Sequence, residues 1–121
     1  MDDIKLKLET LLSDSDPAAR RRAAEELAAG TGFAPVAALA AALRDGNKGV
    51  RDAATRSLTE IGNKNVARAV VDYLADTNIT TRNLAAELLM RLKDESVEAL
   101  LPYLYDTDAN VRKFVVDILG V

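Results

Sequence analysis

Apolar residues recur at i, i+3 and i+7 in three stretches of this chain: Val36/Leu39/Leu43, Ala67/Val70/Leu74 and Val97/Leu100/Leu104. Leu8 and Leu12 carry the same stripe near the N-terminus, where Lys5 stands in place of its first apolar member. That spacing puts all three residues on one face of a helix. A second stripe, at i and i+4, alternates with the first: Ala23/Leu27, Ala54/Leu58, Ala85/Leu89 and Val115/Leu119. The alternation predicts eight helices, near 2–12, 17–29, 34–43, 48–61, 64–75, 79–93, 95–105 and 109–119.

Between the two stripes of each pair stands an aspartate, and six residues after it an arginine. The pairs are Asp14/Arg20, Asp45/Arg51, Asp76/Arg82 and Asp106/Arg112. Successive aspartates are 31, 31 and 30 residues apart. A fixed period of roughly 20–50 residues marks a repeat array. The chain therefore reads as one domain, 1–121, of four helix-turn-helix units near 2–30, 34–62, 64–93 and 95–121. Boundary chemistry agrees with this. Asp16-Pro17 reads as an N-cap followed by proline at the first helical position. Gly30, Gly32 and Gly62 lie where helices need C-caps, and Pro35 starts the next helix. Pro102 falls inside the seventh helix and is expected to kink it.

Composition narrows the picture. Nearly half the residues are apolar but only 4% are aromatic, so the core must be built from Ala, Leu, Val and Ile. The net charge is −3 and is spread over both halves of the chain, without the basic footprint that nucleic-acid binding needs. No apolar run is long enough to span a bilayer and no secretion signal opens the chain, so a cytoplasmic, non-membrane protein is expected. Asn78-Ile79-Thr80 matches a glycosylation sequon that carries no weight in such a setting.

The residues around each aspartate carry a resemblance. Leu12-Ser13-Asp14-Ser15-Asp16-Pro17-Ala18-Ala19-Arg20 and Leu104-Tyr105-Asp106-Thr107-Asp108-Ala109-Asn110-Val111-Arg112 resemble HEAT repeats, most closely the short PBS-lyase HEAT-like subtype. The two middle units are looser, with Gly46-Asn47-Lys48-Gly49-Val50-Arg51 and Thr77-Asn78-Ile79-Thr80-Thr81-Arg82. The resemblance implies an all-α, right-handed solenoid whose second helices line a concave face. It implies little about function, since repeat arrays serve unrelated roles.

Eight ionisable residues at fixed places invite a catalytic reading, but catalysis needs one unit to differ from the others. A residue repeated once per unit stacks on its copies instead. The Asp and Arg residues are expected to form a structural ladder, each Arg donating to its own or the adjacent Asp. On that reading Arg51→Ala or Arg82→Ala should lower the melting temperature. Histidine and cysteine are absent, which removes Ser-His-Asp and Cys-His arrangements and ordinary zinc sites. Among proteins of the resembled family, the di-iron hydroxylases use His-Glu pairs and the base-excision glycosylases use aromatic and acidic residues in a basic groove. Neither set fits this chain. The glycine cluster at 30–32 matches no phosphate loop. No enzyme activity, metal or cofactor is expected. The subtype also includes phycobilin lyases and pigment chaperones, which is the alternative reading, with Tyr73, Tyr103 and Tyr105 as pocket candidates.

The two ends differ. Eight and twelve residues after the aspartate the first unit has Arg22 and Glu26, while the last has Phe114 and Ile118. A polar terminal unit is a cap. Arg21 and Arg22 are expected to pair with Glu25 and Glu26 on that solvated face. The last helix, with Phe114, Val115, Val116, Ile118, Leu119 and Val121, reads as apolar nearly all round and expects burial. A longer array, self-pairing or a docked protein would each bury it. An unidentified protein or peptide partner is expected on the concave face, with Arg56, Asn83, Glu87 and Met90 as central contacts.

Overall fold

The computed structural model describes residues 3–30 and 32–121. Eight α-helices occupy them: α1 Asp3–Ser13, α2 Pro17–Glu26, α3 Phe33–Ala41, α4 Lys48–Ile61, α5 Lys64–Val70, α6 Ile79–Leu92, α7 Val97–Leu100 and α8 Ala109–Leu119. Short 3₁₀ segments extend α2, α3, α5, α6 and α7. The expected helix start at residue 2, and Thr31 of the glycine cluster, lie outside the described residues. Contacts gather into two units, one ending at Ile61 and the other spanning Gly62–Val121, each of two helical hairpins.

In the first unit the core is formed by Leu11, Leu27, Leu39, Leu43, Val50 and Leu58, closed by Ala23, Ala24, Ala53 and Ala54. In the second it is formed by Val66, Val70, Leu88, Leu89, Leu100 and Val115. Small residues let helices approach closely, and α2 and α4 pack along their length. At their contact Ala24 is fully buried, and the Ser57 hydroxyl donates to the Ala24 carbonyl at 2.7 Å.

The apolar stripe of the second helices is inside throughout the first three hairpins. The stripe of the first helices is inside in α3 and α5 but not in α1. There Leu11 is buried and Leu12 is 60% exposed. The cause is the way each helix ends. α3 and α5 tighten into 3₁₀ turns before the aspartate, so the Asp45 and Asp76 N–H groups bond back three residues, to Ala42 and Tyr73. α1 stays α-helical and the Asp14 N–H bonds back four, to Thr10. A 3₁₀ turn winds about 20° further per residue than an α-helix. Over the 3 or 5 residues of these turns that amounts to about 60–100°, between half a residue and one residue of phase.

α7 shifts at its start in the same way. Buried Ser96 takes the inner place and Val97 is 37% exposed. Pro102 causes no separate kink. The α-helical part ends at Leu100 and a 3₁₀ segment carries on over Leu101–Tyr105. α5 does the same from Val71 without a proline, so the transition belongs to the repeat and Pro102 is fitted into it.

Candidate functional site

The four turns are built alike. Each aspartate carboxylate accepts the N–H of the residue two further on: Asp16 at 2.8 Å, Asn47 at 2.9 Å, Asn78 at 2.9 Å and Asp108 at 3.0 Å. That second residue then caps the following helix. Asp16 accepts from Ala18, Asn47 from Val50, Asn78 from Thr80 and Thr81, and Asp108 from Asn110. Orphan helix N–H groups are thereby satisfied, and losing such a cap costs about 1 kcal/mol.

Three of the arginines lock the turn from behind. Nη1 of Arg20, Arg51 and Arg112 donates to the backbone carbonyl of its own aspartate, Asp14, Asp45 and Asp106, at 2.8, 2.8 and 2.7 Å. Arg20 also reaches the next hairpin. Its Nε and Nη2 grip the Asp45 carboxylate at 2.9 and 3.1 Å, and both side chains are mostly shielded from solvent.

This pair holds Asp45 below the ordinary carboxylate value. Burial alone would raise it, but the Arg20 hydrogen bond, the Asn47 N–H and the charges of Arg20 and Arg51 outweigh that. A carboxylate depressed in the folded state contributes stability above its unfolded value, and that contribution disappears as pH falls through the folded one. The contribution is therefore full above the ordinary value of 3.8 and is lost on acidification below it. Asp45→Asn should lower Tm at neutral pH and flatten the acid limb of a Tm–pH curve. Curves that run parallel down to pH 2 would show that the pair contributes no acid-labile stability.

Arg82 departs from the pattern. Among the described residues it bonds neither the Asp76 carbonyl nor the Asp106 carboxylate. Arg82→Ala is therefore expected to melt close to wild type, against the loss of stability that the spacing predicts, since its guanidinium has no internal bond to lose. Packing supplies the reason. Ala53 and Ser57, the residues of α4 that face α2, correspond to Phe114 and Ile118 of α8. Of these larger side chains Phe114 lines the space between α8 and α6, which do not pack along their length as α2 and α4 do. A groove of about 210 Å³ opens between them, floored by Leu74, Ala86, Val111 and Phe114. Arg82, Asn83, Asn110 and Asp108 line its polar side.

Phe114 is thus turned toward α6, and Val115 is wholly buried in the core of its own unit. Neither belongs to a C-terminal outer patch. α8 is amphipathic rather than apolar all round: Arg112, Lys113 and Asp117 face solvent while Val116, Ile118 and Leu119 are half-buried. Val121 of the expected set is exposed, and Val97, Leu101 and Tyr105 add further exposed apolar surface in the last hairpin.

Of the expected partner contacts, Arg56 lies exposed on α4 in the first unit. Asn83, Glu87 and Met90 lie exposed on α6 in the second. Glu87 accepts from Arg91 at 2.8 Å, and Met90 is 53% exposed. At the N-terminal hairpin Arg21 pairs with Glu25 as expected, at 3.5 Å. Glu26 pairs with Lys7 rather than Arg22. The tyrosines line none of the grooves described here. Tyr105 is almost fully exposed, and the half-buried Tyr103 donates to the Asp72 carboxylate. Burial and that hydrogen bond push the Tyr103 phenol up to about 12.

The sequence pattern did not point to the groove. The signal that finds it is the size change from Ala53 to Phe114, read with the knowledge that this position faces the preceding hairpin.

A family model of HEAT repeats matches residues 4–90. No curated protein matches the chain. Among solved structures, human deoxyhypusine hydroxylase in complex with glycerol is 25% identical, with a TM-score of 0.66 over 99% of this chain and 43% of its own. The CpcE–CpcF complex of phycocyanin lyase from Nostoc sp. PCC7120 is 21% identical, with a TM-score of 0.54 over 98% of this chain and 64% of its own. An engineered protein is 21% identical, with a TM-score of 0.52 over 99% and 62%. The chain thus spans less than two thirds of the length of each, and the likenesses to the lyase and the engineered protein concern the fold alone.

Proposed function

This chain belongs to the HEAT-repeat family, and from that premise we propose that it is a non-catalytic interaction module binding a protein or peptide partner through the exposed faces of its second helices. The all-α solenoid class is shared with its structural neighbours. The observation that carries the reading is the division of labour in the turns. The aspartates, the capping residues and three of the arginines spend their polar groups on the fold itself. The second helices leave Arg56, Asn83, Glu87 and Met90 at the surface. Hydroxylation of the kind that uses His-Glu pairs has no residues to act through, because the chain lacks histidine. Among the described residues no three carboxylates are placed to hold a metal ion.

Pigment binding, suggested by the lyase neighbour, is the weaker reading. Three grooves among the described residues hold about 170–210 Å³. Pockets that enclose drug-sized ligands run to roughly 300–1,000 Å³. None of the helices is long and apolar enough to cross a membrane, among the described residues. An aqueous, cytoplasmic setting is consistent with the proposed role.

The test is quantitative affinity capture with the wild-type chain and with the quadruple variant Arg56→Ala/Asn83→Ala/Glu87→Ala/Met90→Ala. All four residues are exposed, so the variant should melt within a few degrees of wild type. Loss of a defined set of captured proteins is expected. An unchanged set would remove the second-helix face from the reading, and coloured protein from a bilin-producing host would favour the pigment alternative. Pairing of two copies through Val97, Leu101 and Tyr105 is the remaining proposal, and sedimentation equilibrium over a hundredfold concentration range tests it.

A further inference from the structure

The groove between α6 and α8 has a chemistry that the interaction reading does not specify. Its one cation, Arg82, is half-buried, and its guanidinium makes no hydrogen bond or ion pair among the described residues, whereas those of Arg20, Arg51 and Arg112 are all engaged. A guanidinium in that position presents a planar fork suited to a carboxylate. Asn83 and Asn110 flank it, and each side-chain amide offers both a donor and an acceptor, the pair that an extended peptide backbone requires. Beneath them Phe114 supplies an aromatic floor.

The volume, about 210 Å³, lies below the roughly 300–1,000 Å³ of pockets that enclose drug-sized ligands, which leaves side chains as the fitting occupants. Charge decides between anions. Asp108 stands on the rim with one oxygen accepting from the Asn110 N–H, so the groove is formally neutral. The single Arg82 guanidinium can pair with one carboxylate, whereas the Asp108 carboxylate on the rim opposes the higher charge of a phosphate polyanion.

We propose that the α6–α8 groove is a peptide-binding site that receives one acidic side chain on Arg82 and an adjacent apolar side chain over Phe114. It rests on the interaction reading and adds to it the chemical class of the partner segment: an extended stretch pairing Glu or Asp with a neighbouring aliphatic residue. Binding replaces the water around Arg82 with a bidentate pair, and the peptide backbone is oriented by the two asparagines.

The test is titration of the ¹⁵N-labelled full chain with acetyl-Leu-Glu-Leu-amide, with its glutamine counterpart and with inorganic phosphate, followed by NMR. The glutamate peptide should saturably shift the Arg82 Nε–H and the Asn83 and Asn110 side-chain amides. It should bind about tenfold or more tighter than the glutamine peptide, the scale of one charge-assisted pair. Arg82→Gln should abolish that preference while melting as wild type, and Arg82→Lys should restore it only in part. Equal affinity for the two peptides, an unaltered preference in Arg82→Gln, or phosphate binding tighter than the glutamate peptide would each overturn the proposal. If the quadruple surface variant loses its captured proteins while neither peptide shifts the groove, the interaction reading stands and this inference alone fails.

Discussion

Leu11→Ala is expected to destabilise the chain by about 2–5 kcal/mol, while Leu12→Ala changes it by less than about 0.5 kcal/mol. The two leucines are neighbours, and hydropathy cannot tell them apart. Position relative to the aspartate favours the wrong one, because Leu43 and Leu74, at the place of Leu12, are both buried. In the structure Leu11 is 3% exposed and Leu12 60%. Truncating Leu11 removes its transfer free energy and leaves a cavity under α1 that well-packed neighbours fill only in part. Truncating Leu12 removes atoms that already face water. Chemical denaturation of the two variants decides the register, since a reversal of the two costs would mean that α1 ends in a 3₁₀ turn like its counterparts.

That example shows how far the sequence can be read. The existence, order and approximate limits of eight helices follow from residue types alone, because period, caps and turn aspartates agree with one another. The inner face of the second helices follows too: Ala23/Leu27, Ala54/Leu58 and Ala85/Leu89 are all buried. What does not follow depends on backbone choices made between residues. Nothing in the composition of Thr10-Leu11-Leu12-Ser13 announces that α1 will stay α-helical where α3 and α5 tighten. The same limit applies to the arginines. Their spacing is identical in all four hairpins, yet the reach of Arg20 to Asp45 and the failure of Arg82 to find a partner are set by what separates the helices. The apolarity of Phe114 by itself suggests outer surface. Its direction becomes visible only through the buried Ala53 at the corresponding place of α4 and the Ser57–Ala24 bond one turn further on, which shows that this face of a second helix points backward.

If helix separation governs these contacts, then moving the large residue should move the consequence with it. Ala53→Phe introduces in α4 the side chain that α8 carries at the corresponding position. Ala53 is 2% exposed and sits where α2 and α4 pack along their length, so the ring has no room. Overpacking of this kind costs about 1–3 kcal/mol. Displacing α4 also breaks the Ser57–Ala24 hydrogen bond, which contributes about a further 1 kcal/mol. The sharper expectation concerns coupling. With the helices held apart, Arg20 no longer reaches the Asp45 carboxylate, while its bond to the Asp14 carbonyl, made within one hairpin, survives. Asp45→Asn should therefore lower Tm in the wild-type chain and leave it nearly unchanged in the Ala53→Phe background, a non-additivity that a double-mutant cycle reads directly. Acid sensitivity should weaken in the same background, because the depressed Asp45 ionisation depends first on Arg20 to offset burial. Full additivity would mean that the Arg20–Asp45 pair follows the turns rather than the helix spacing, and the account of Arg82 given by Phe114 would fall with it.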